Sequence, residues 1–339
     1  MPPSEIALVA RARGIARHLI GRDTLETLAE ADDLGAFARS LSRLGTAVEP
    51  IGEPADVFAV ERAVGRTSGR LLRTLYRWQV HVPGVLDVFT ARQDLRSLRA
   101  LLRGAVQGAP AEERLDGLLP TPSLPQLALA DLARRASATE IVHQLLTLAH
   151  PDAPRLLPLA GKAHPDLLSI DVALLRGFAD RAGRAAANGD AHLRDFVSAL
   201  IDVGNAQTAI VLAREGRDAA AMDFFVQGGR HLTASAFASA ARAGSPQGAS
   251  MTIATAAAGS PLASLLPGAG DAASLDRAFL TSTLKRLTHA ARIDPLSSAP
   301  LLRVLLGIEA QQRDLRNLAW AAVLGTPTAL RKQQLVTPP

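Results

Sequence analysis

Hydrophobic side chains recur every three or four residues along most of this chain, which is the period of an amphipathic α-helix. The pattern is clearest in segment 56–78, where apolar side chains fall on one narrow arc of a helical wheel and arginines fall opposite them. The apolar positions are Val57, Val60, Val64, Leu71, Leu75 and Trp78, and the arginines, called the first arginine row, are Arg62, Arg66, Arg70, Arg73 and Arg77. The segment is therefore predicted to form one amphipathic helix.

A second helix of the same kind follows in the chain. Its apolar side consists of Leu95, Leu98, Leu101 and Leu102, and its second arginine row consists of Arg92, Arg96, Arg99 and Arg103. Helical periods also predict helices over 4–19, 24–44, 126–136, 138–149, 170–188, 191–214, 233–242, 274–292 and 300–324. We expect the proline-rich stretch 151–158 to interrupt the chain, as prolines and glycines also do within 243–270.

A short polar signature, Asp-x-x-(Asn/Ser), occurs three times within these helices. Its copies are Asp94 with Ser97, Asp202 with Asn205, and Asp314 with Asn317. The spacing is nearly even, since 202 − 94 = 108 and 314 − 202 = 112. Residues one helical turn apart share a face, so both side chains of a copy can bond backbone groups of an adjoining loop. A single copy would more often belong to a solvated polar face, but three evenly spaced copies favour a repeated helical unit.

A glycine follows each copy, at Gly108, Gly216 and Gly325, where a helix needs a residue that tolerates positive φ in order to stop. In a chain of 339 residues, the repeat of about 110 favours three similar lobes. We expect one lobe over 85–190 and one over 191–299. Segments 1–84 and 300–339 would together form the third, which closes a ring.

Composition agrees with an all-α fold. Hydrophobic residues make up 48% of the chain but aromatic residues only 4%, and Ala, Leu and Arg favour helices over strands. The absence of cysteine excludes disulfides, thiolate metal sites and a cysteine nucleophile. No stretch of about 18 consecutive apolar residues occurs, so we expect no transmembrane segment.

Catalytic chemistry cannot be assembled from the remaining motifs. His143 and His150 are seven residues apart with no carboxylate between them, and no His-Glu-x-x-His motif occurs. Gly161-Lys162 lacks the preceding glycine of a phosphate-binding loop. We therefore predict no catalytic residue, no metal and no cofactor. A pocket lined by His143, His150 or Asp94 would favour an enzyme instead.

The arginine rows have three interpretations. They can be solvated helix faces, they can neutralise phosphates, or they can meet an acidic protein surface. Sequence-specific nucleic-acid binding usually uses aromatic platforms, and the chain has one Tyr and two Trp, so no nucleic-acid partner is predicted. The formal net charge of +5 does not choose among anionic partners.

Several stretches, in order along nearly the whole chain, resemble the C subunit of the A/V-type ATPase, which belongs to the same family as the d subunit of vacuolar pumps. They are 10–13, 92–103 followed by Gly108, 193–196 leading into Asp202 and Asn205, 224–230, and 314–318. This chain departs from the family pattern at Ser97, at Asn205-Ala-Gln, and at Thr121, where a turn glycine is frequent.

The resemblance implies a funnel of three similar helical lobes, arranged with pseudo-threefold symmetry, that caps the membrane rotor ring of proteolipid subunits. The funnel would receive the central shaft of D- and F-type subunits and transmit torque for ion transport without catalysis. It would lie peripherally on the cytoplasmic face of the membrane, with the arginine rows facing the shaft, the ring's loops or lipid headgroups. The alternative is an all-α interaction scaffold unrelated to this ATPase, which binds an anionic partner through the same rows.

Overall fold

The computed structural model describes residues 3–45, 48–49, 51, 56–78, 84–162, 164–217, 220–267 and 271–338. These residues form helices and no strand, which confirms the predicted all-α class. The α-helices within them are α1 (Pro3–Ala16), α2 (Arg22–Leu28), α3 (Leu34–Ser42), α4 (Val57–Tyr76), α5 (Val85–Val106), α6 (Ala111–Leu115), α7 (Gln126–Arg134), α8 (Ala138–Thr147), α9 (Ala153–Ala160), α10 (Leu167–Ala186), α11 (Ala191–Glu215), α12 (Ala234–Ala241), α13 (Pro246–Ala256), α14 (Pro261–Leu265), α15 (Ala272–Ile293), α16 (Ala299–Val323) and α17 (Thr328–Gln333). A short 3-10 helix spans Ala221–Phe224.

Local sequence signals explain where many of these helices begin and end. Side-chain oxygens of Asp33, Asp56 and Asp190 accept backbone N–H bonds in the first turns of α3, α4 and α11. The glycines after the three signature copies, Gly108, Gly216 and Gly325, have φ values of 71°, 64° and 62°. The predicted helix stops with positive φ are therefore confirmed.

Two expectations about where helices are interrupted differ from the structure. Region 24–44 divides into α2 and α3, because Asp33 caps a new helix. Segment 151–158 contains most of α9, whose Pro154 lies in the first turn, where a missing N–H removes no helical hydrogen bond. Tract 243–270 is interrupted as expected, by turns over 257–260 that separate α13 from α14.

Trp78 does not belong to the apolar side of α4, contrary to the prediction. The helix ends at Tyr76, and beyond that residue the helical angle of 100° per residue no longer applies. The Trp78 side chain is 45% exposed, and the Arg11 guanidinium lies 3.2 Å from its ring centroid. Leu72 takes a buried place in the helix instead, while Leu71 is half-buried.

The chain divides into two compact units, and α15 runs through the boundary between them. Unit 1 comprises residues 1–82 and 280–339, and unit 2 comprises residues 83–279. In unit 1 the two ends of the chain share one core, in which Phe37 and Leu41 of α3 lie with Leu315 and Leu318 of α16. The finer division of the chain into three lobes stays a prediction.

A buried carboxylate joins α4 to α16 within unit 1. Glu61 on α4 is only 6% exposed. Its Oε1 accepts hydrogen bonds from Arg316 Nε at 2.8 Å and from Trp320 Nε1 at 2.9 Å. Since these donors lie about 255 residues further along the chain, the interaction fixes α16 on the N-terminal helix α4.

Unit 2 is organised around α5, α10 and α11, the three longest helices that lie wholly within it. Helix α10 packs against both α5 and α11. Helices α6, α7 and α8 contact α5, while α12, α13 and α14 contact α11. The signature helices α5 and α11 thus each carry a group of short helices.

Of the helices that the structure describes, only α11 is long and apolar enough to cross a membrane by length and composition. Its most apolar 18-residue window has a mean hydropathy of 1.5, and 72% of that window is buried inside the protein. Because the core helix of a globular protein passes the same test, this is weak evidence for a membrane span.

Candidate functional site

The second signature copy fixes the connector that follows α11. Asp202 is 1% exposed, and its carboxylate accepts three backbone N–H bonds. Arg230 N and His231 N donate to Oδ2 at 3.0 and 2.9 Å, and Leu232 N donates to Oδ1 at 3.1 Å. A carboxylate is suited to this arrangement because ionised acceptors make the stronger hydrogen bonds.

Asn205, one turn further along α11, fixes the start of the same connector. Its Nδ2 donates to the carbonyl of Val226 at 2.7 Å, and Val226 N donates to its Oδ1 at 3.0 Å. The asparagine therefore pairs with both polar backbone groups of one residue. Helix α11 and residues 226–232 are bonded as one element.

The first copy uses different donors for the same purpose. Thr121 Oγ1 donates to Asp94 Oδ1 at 2.7 Å, and Ser123 Oγ donates to Oδ2 at 2.6 Å. His150 Nε2 lies 3.4 Å from the same Oδ2. Leu124 N in turn donates to Thr121 Oγ1 at 2.9 Å, which fixes the backbone of the connector through the threonine.

The third copy holds the C-terminal tail. Val336 N donates to Asp314 Oδ1 at 2.7 Å, and Thr337 N donates to Oδ2 at 2.9 Å. Burial raises the pKa of the Asp314 carboxyl, and the two N–H bonds oppose that rise. Unlike the buried Asn205 and Ser97, the equivalent Asn317 is exposed. All three aspartates thus bond the segment after their own helix, while the second signature position differs among copies.

The first arginine row lies on the surface of unit 1. Arg62, Arg66, Arg70, Arg73 and Arg77 are all exposed on α4. Arg66 Nε pairs with Glu49 Oε2 at 2.8 Å. The other four arginines form no ion pair with any residue in the described part of the chain, so their charges are available to a partner.

The second arginine row is engaged within unit 2. Arg92 is 2% exposed and offers no surface to a partner in this fold. Arg99 and Arg103 both pair with Asp171 on α10, at 3.1 and 2.5 Å. Arg96 lies 4.0 Å from Asp276. Docking by these arginines stays a prediction, and it would compete with the internal pairs.

A cleft in unit 2 has an apolar wall and several arginines. Its volume is about 690 Å³, and Arg155, Arg176 and Arg217 line it. Asp166 accepts both ends of the Arg217 guanidinium at 3.1 and 2.8 Å, and this pairing lowers the carboxyl pKa to about 2. Arg155 pairs with Asp180 at 2.9 Å. Arg176 donates to the backbone carbonyl of Asp223. Two of the three arginine charges are therefore neutralised by carboxylates of the chain, which leaves the cleft less positive than its lining suggests.

The residues considered for enzyme chemistry are divided between the core and the surface. Asp94 and His150 are buried against each other, whereas His143 is exposed on α8. In the described ranges no three His, Asp or Glu side chains form a group that could hold a metal ion. Sequence patterns had not identified Thr121, Ser123 or Asp171 as partners, because each lies in a different element from the residue that it bonds.

Comparison with known proteins places these features in a family. The family model described as "ATP synthase (C/AC39) subunit" matches residues 8–332. The chain belongs to this family. It is thus a structural component of an ATP synthase complex of the rotary A/V type, and the alternative of an unrelated scaffold is excluded.

Curated relatives agree with the family match. The C subunit of the V-type ATP synthase from two strains of Thermus thermophilus is 28% identical over 284 residues, which cover 82% of this chain and 83% of the relative. The C subunit of the A-type ATP synthase of Haloferax volcanii is 25% identical over 252 residues, which cover 72% of this chain and 71% of the relative. The similarity therefore extends through both units.

Proposed function

We propose that this chain is the central-stalk rotor subunit of its ATPase. It acts as a non-catalytic socket between a shaft of D- and F-type subunits and the membrane ring of proteolipid subunits, and it transmits torque for ion transport. It lies peripherally on the cytoplasmic face of the membrane. Its V-type and A-type relatives, which are both C subunits of ATP synthases, support this assignment.

A rotor component that transmits torque needs helices and connectors that do not shift under load. The three buried signature aspartates meet this need, since each bonds the segment following its own helix. A hydrogen bond to a charged group contributes about 1.5–3 kcal/mol, so each aspartate holds its connector strongly. The repeated contacts support our proposal that three similar lobes form a funnel.

The observation that carries the docking proposal is the set of unpaired charges on α4. Fifteen residues separate Arg62 from Arg77 (77 − 62 = 15), so the first arginine row is about 22 Å long at about 1.5 Å per residue. Such a row suits an acidic surface on the shaft or on the ring's loops, because complementary charges steer association and fix orientation. The second arginine row is less available to a partner, because Arg99 and Arg103 already pair with Asp171.

The experiment is a pull-down of the intact complex from solubilised membranes with Arg70→Glu and Arg73→Glu combined. We expect the reversed charges to reduce copurification of the shaft, the ring or both, with a loss that lessens at high salt because screening weakens the repulsion. The matched control combines Arg70→Lys and Arg73→Lys, which keep the charge and should keep the complex together.

A second measurement separates docking from folding. Because both arginines are exposed, the melting temperature of the isolated Glu variant should equal that of the wild type. Full copurification of shaft and ring with the Glu variant would overturn the role of α4. Failure of the wild-type chain to copurify with either partner would overturn the socket function itself.

A further inference from the structure

Unit 1 contains a cleft of about 400 Å³ that both ends of the chain help to line. We call it the terminal cleft. Leu19, Leu284 and Val304 give it an apolar wall, and Thr24, Thr288 and Arg303 contribute polar side chains. The hydroxyls of Thr24 and Thr288 form no hydrogen bond with any residue that the structure describes, so the cleft presents hydrogen-bonding groups that its own walls leave unused.

Arg303 is the central polar group of the terminal cleft. Its side chain is half-buried on α16, and it forms neither an ion pair nor a hydrogen bond with the described residues. Burial lowers the pKa of its guanidinium, and the positive charges of Arg292 and Arg13 lower it further. None of these three arginines has a carboxylate partner within the described ranges. A half-buried guanidinium without a partner is electrostatically unfavourable until an anion occupies the cleft.

Arg22, the other arginine that lines the terminal cleft, has a structural role. Its guanidinium donates to the carbonyls of Lys332, Leu335 and Thr337, at 2.8, 3.3 and 3.0 Å, and pairs with Glu26 at 2.6 Å. Arg22 holds the C-terminal tail in place and has few donors left. Arg303 makes no such contacts, although it lines the same cleft.

The acidic side chains nearby do not neutralise the charge of Arg303. Asp23 lines the terminal cleft, but its side chain is exposed and forms no ion pair among the described residues. Asp294 is likewise exposed, at the turn between α15 and α16. Arg13 reaches that turn and donates to the carbonyl of Pro295 at 3.2 Å, so its charge is solvated but not cancelled.

We propose that the terminal cleft is a phosphate-binding site, with Arg303 as the anchor and the hydroxyls of Thr24 and Thr288 as further donors. A phosphate group suits this lining better than a carboxylate does, because it carries up to two charges and has several acceptor oxygens, which one guanidinium and two hydroxyls can share. The apolar wall leaves room for an organic body attached to the phosphate.

The phosphate can come from two sources, a soluble phosphate compound or a lipid headgroup. Ile293 and Leu296, at the turn beside Arg292, are 70% and 60% exposed. Exposed aliphatic side chains next to arginines are the combination that anionic lipid surfaces attract. The inference is independent of the socket function, because its test uses the purified full chain without shaft or ring.

The first arm of the test measures the melting temperature of the wild type and of Arg303→Gln with inorganic phosphate, against sodium chloride of equal ionic strength. Arg43→Gln is the control, since Arg43 is an exposed arginine of unit 1 that does not line the cleft. At ten times the dissociation constant we expect phosphate to raise the wild-type melting temperature by roughly 2–4 °C. Arg43→Gln should show the same rise.

Arg303→Gln should lose the phosphate-dependent rise and, without phosphate, melt at or above the wild-type temperature, because it removes a half-buried charge that has no partner. That second expectation separates the proposed site from a merely structural arginine, whose loss would lower the melting temperature. Arg13→Gln and Arg292→Gln should each reduce the affinity for phosphate severalfold.

The second arm is a flotation assay with phosphatidylcholine vesicles, with and without phosphatidylglycerol. Arg303-dependent binding to the anionic vesicles alone would assign the site to a lipid headgroup, and Arg303-dependent binding of inorganic phosphate alone would assign it to a soluble compound. Both results support a phosphate site. No binding in either arm, or binding that Arg303→Gln leaves unchanged, would overturn the proposal.

Discussion

Gly229 and Asp202 lie so close together that the carboxylate occupies the space of a side chain. A Cβ atom placed on Gly229 would be 2.1 Å from Asp202 Oδ1. Gly229 corresponds to Thr121 in the preceding repeat, since 229 − 121 = 202 − 94 = 108. At Thr121 a hydroxyl donates to the aspartate, whereas at Gly229 the missing side chain lets backbone N–H groups approach. The equivalent carboxylates of Asp94 and Asp202 thus receive their hydrogen bonds from side-chain hydroxyls in one copy and from backbone N–H groups in the other.

Gly229→Ala should therefore lower the free energy of unfolding by about 2–4 kcal/mol, because the methyl group would displace Asp202 from its three N–H donors. Chemical denaturation measures the change. Gly183→Ala is the matched control, since that glycine lies within α10 with no atom within 4 Å of its added Cβ. It should raise stability by about 0.5–1 kcal/mol. Equal effects of the two variants would contradict the steric account.

Asp314 should give stability an unusual dependence on pH. Its pKa in the folded protein is raised above the ordinary 3.8, chiefly by burial, so the folded state holds this proton more tightly than the unfolded state. Tighter binding of this proton stabilises the folded state fully below pH 3.8, and this stabilisation is lost as pH rises through the folded-state pKa. The cost of Asp314→Asn, measured by denaturation at several pH values, should therefore shrink as pH rises through that range. A cost that grows instead would mean that the N–H bonds outweigh burial.

Asp166 should give stability the opposite dependence on pH. Hydrogen bonding to Arg217 lowers its pKa from 3.8 to about 2, so the unfolded state binds this proton more tightly. The stability that Asp166 contributes is then present above pH 3.8 and lost as pH falls towards 2. Denaturation of wild type and Asp166→Asn should give curves that converge in acid. Arg217→Gln should flatten the wild-type dependence, and an unchanged dependence would exclude that ion pair as the cause.

Ala149 is a non-glycine residue with a positive φ of 53°, at the end of α8. His150 N donates to Leu145 O, the pattern that usually places glycine at this position. Because the Ala149 side chain is exposed, Ala149→Gly should raise the unfolding free energy by about 1 kcal/mol.

The reverse change tests the same backbone effect. Gly108 has a φ of 71° and no atom within 4 Å of an added Cβ. Gly108→Ala should therefore cost about 1 kcal/mol through the backbone alone. Thermal denaturation that showed the same sign for both variants would contradict this explanation.

Sequence reasoning predicted the features that depend on neighbouring residues along the chain. The hydrophobic period identified α5, and it placed α4, α11 and α16 within a few residues of their ends. It failed where capping and proline position decide, as in the break between α2 and α3 and in the presence of α9. Those helix boundaries depend on single side chains, whose effect on the hydrophobic pattern is too small for the period of a whole apolar face to show.

By itself, the sequence determined that the chain is helical, where its signature helices stop, and to which family it belongs. Only the tertiary structure decided which arginines are available. The two arginine rows look alike in sequence, yet Asp171 of α10 pairs with Arg99 and Arg103, while most of the α4 row meets no carboxylate within the described residues. Periodicity tells which side chains share a face of one helix. What covers that face depends on residues far away in the chain, and only packing brings them together.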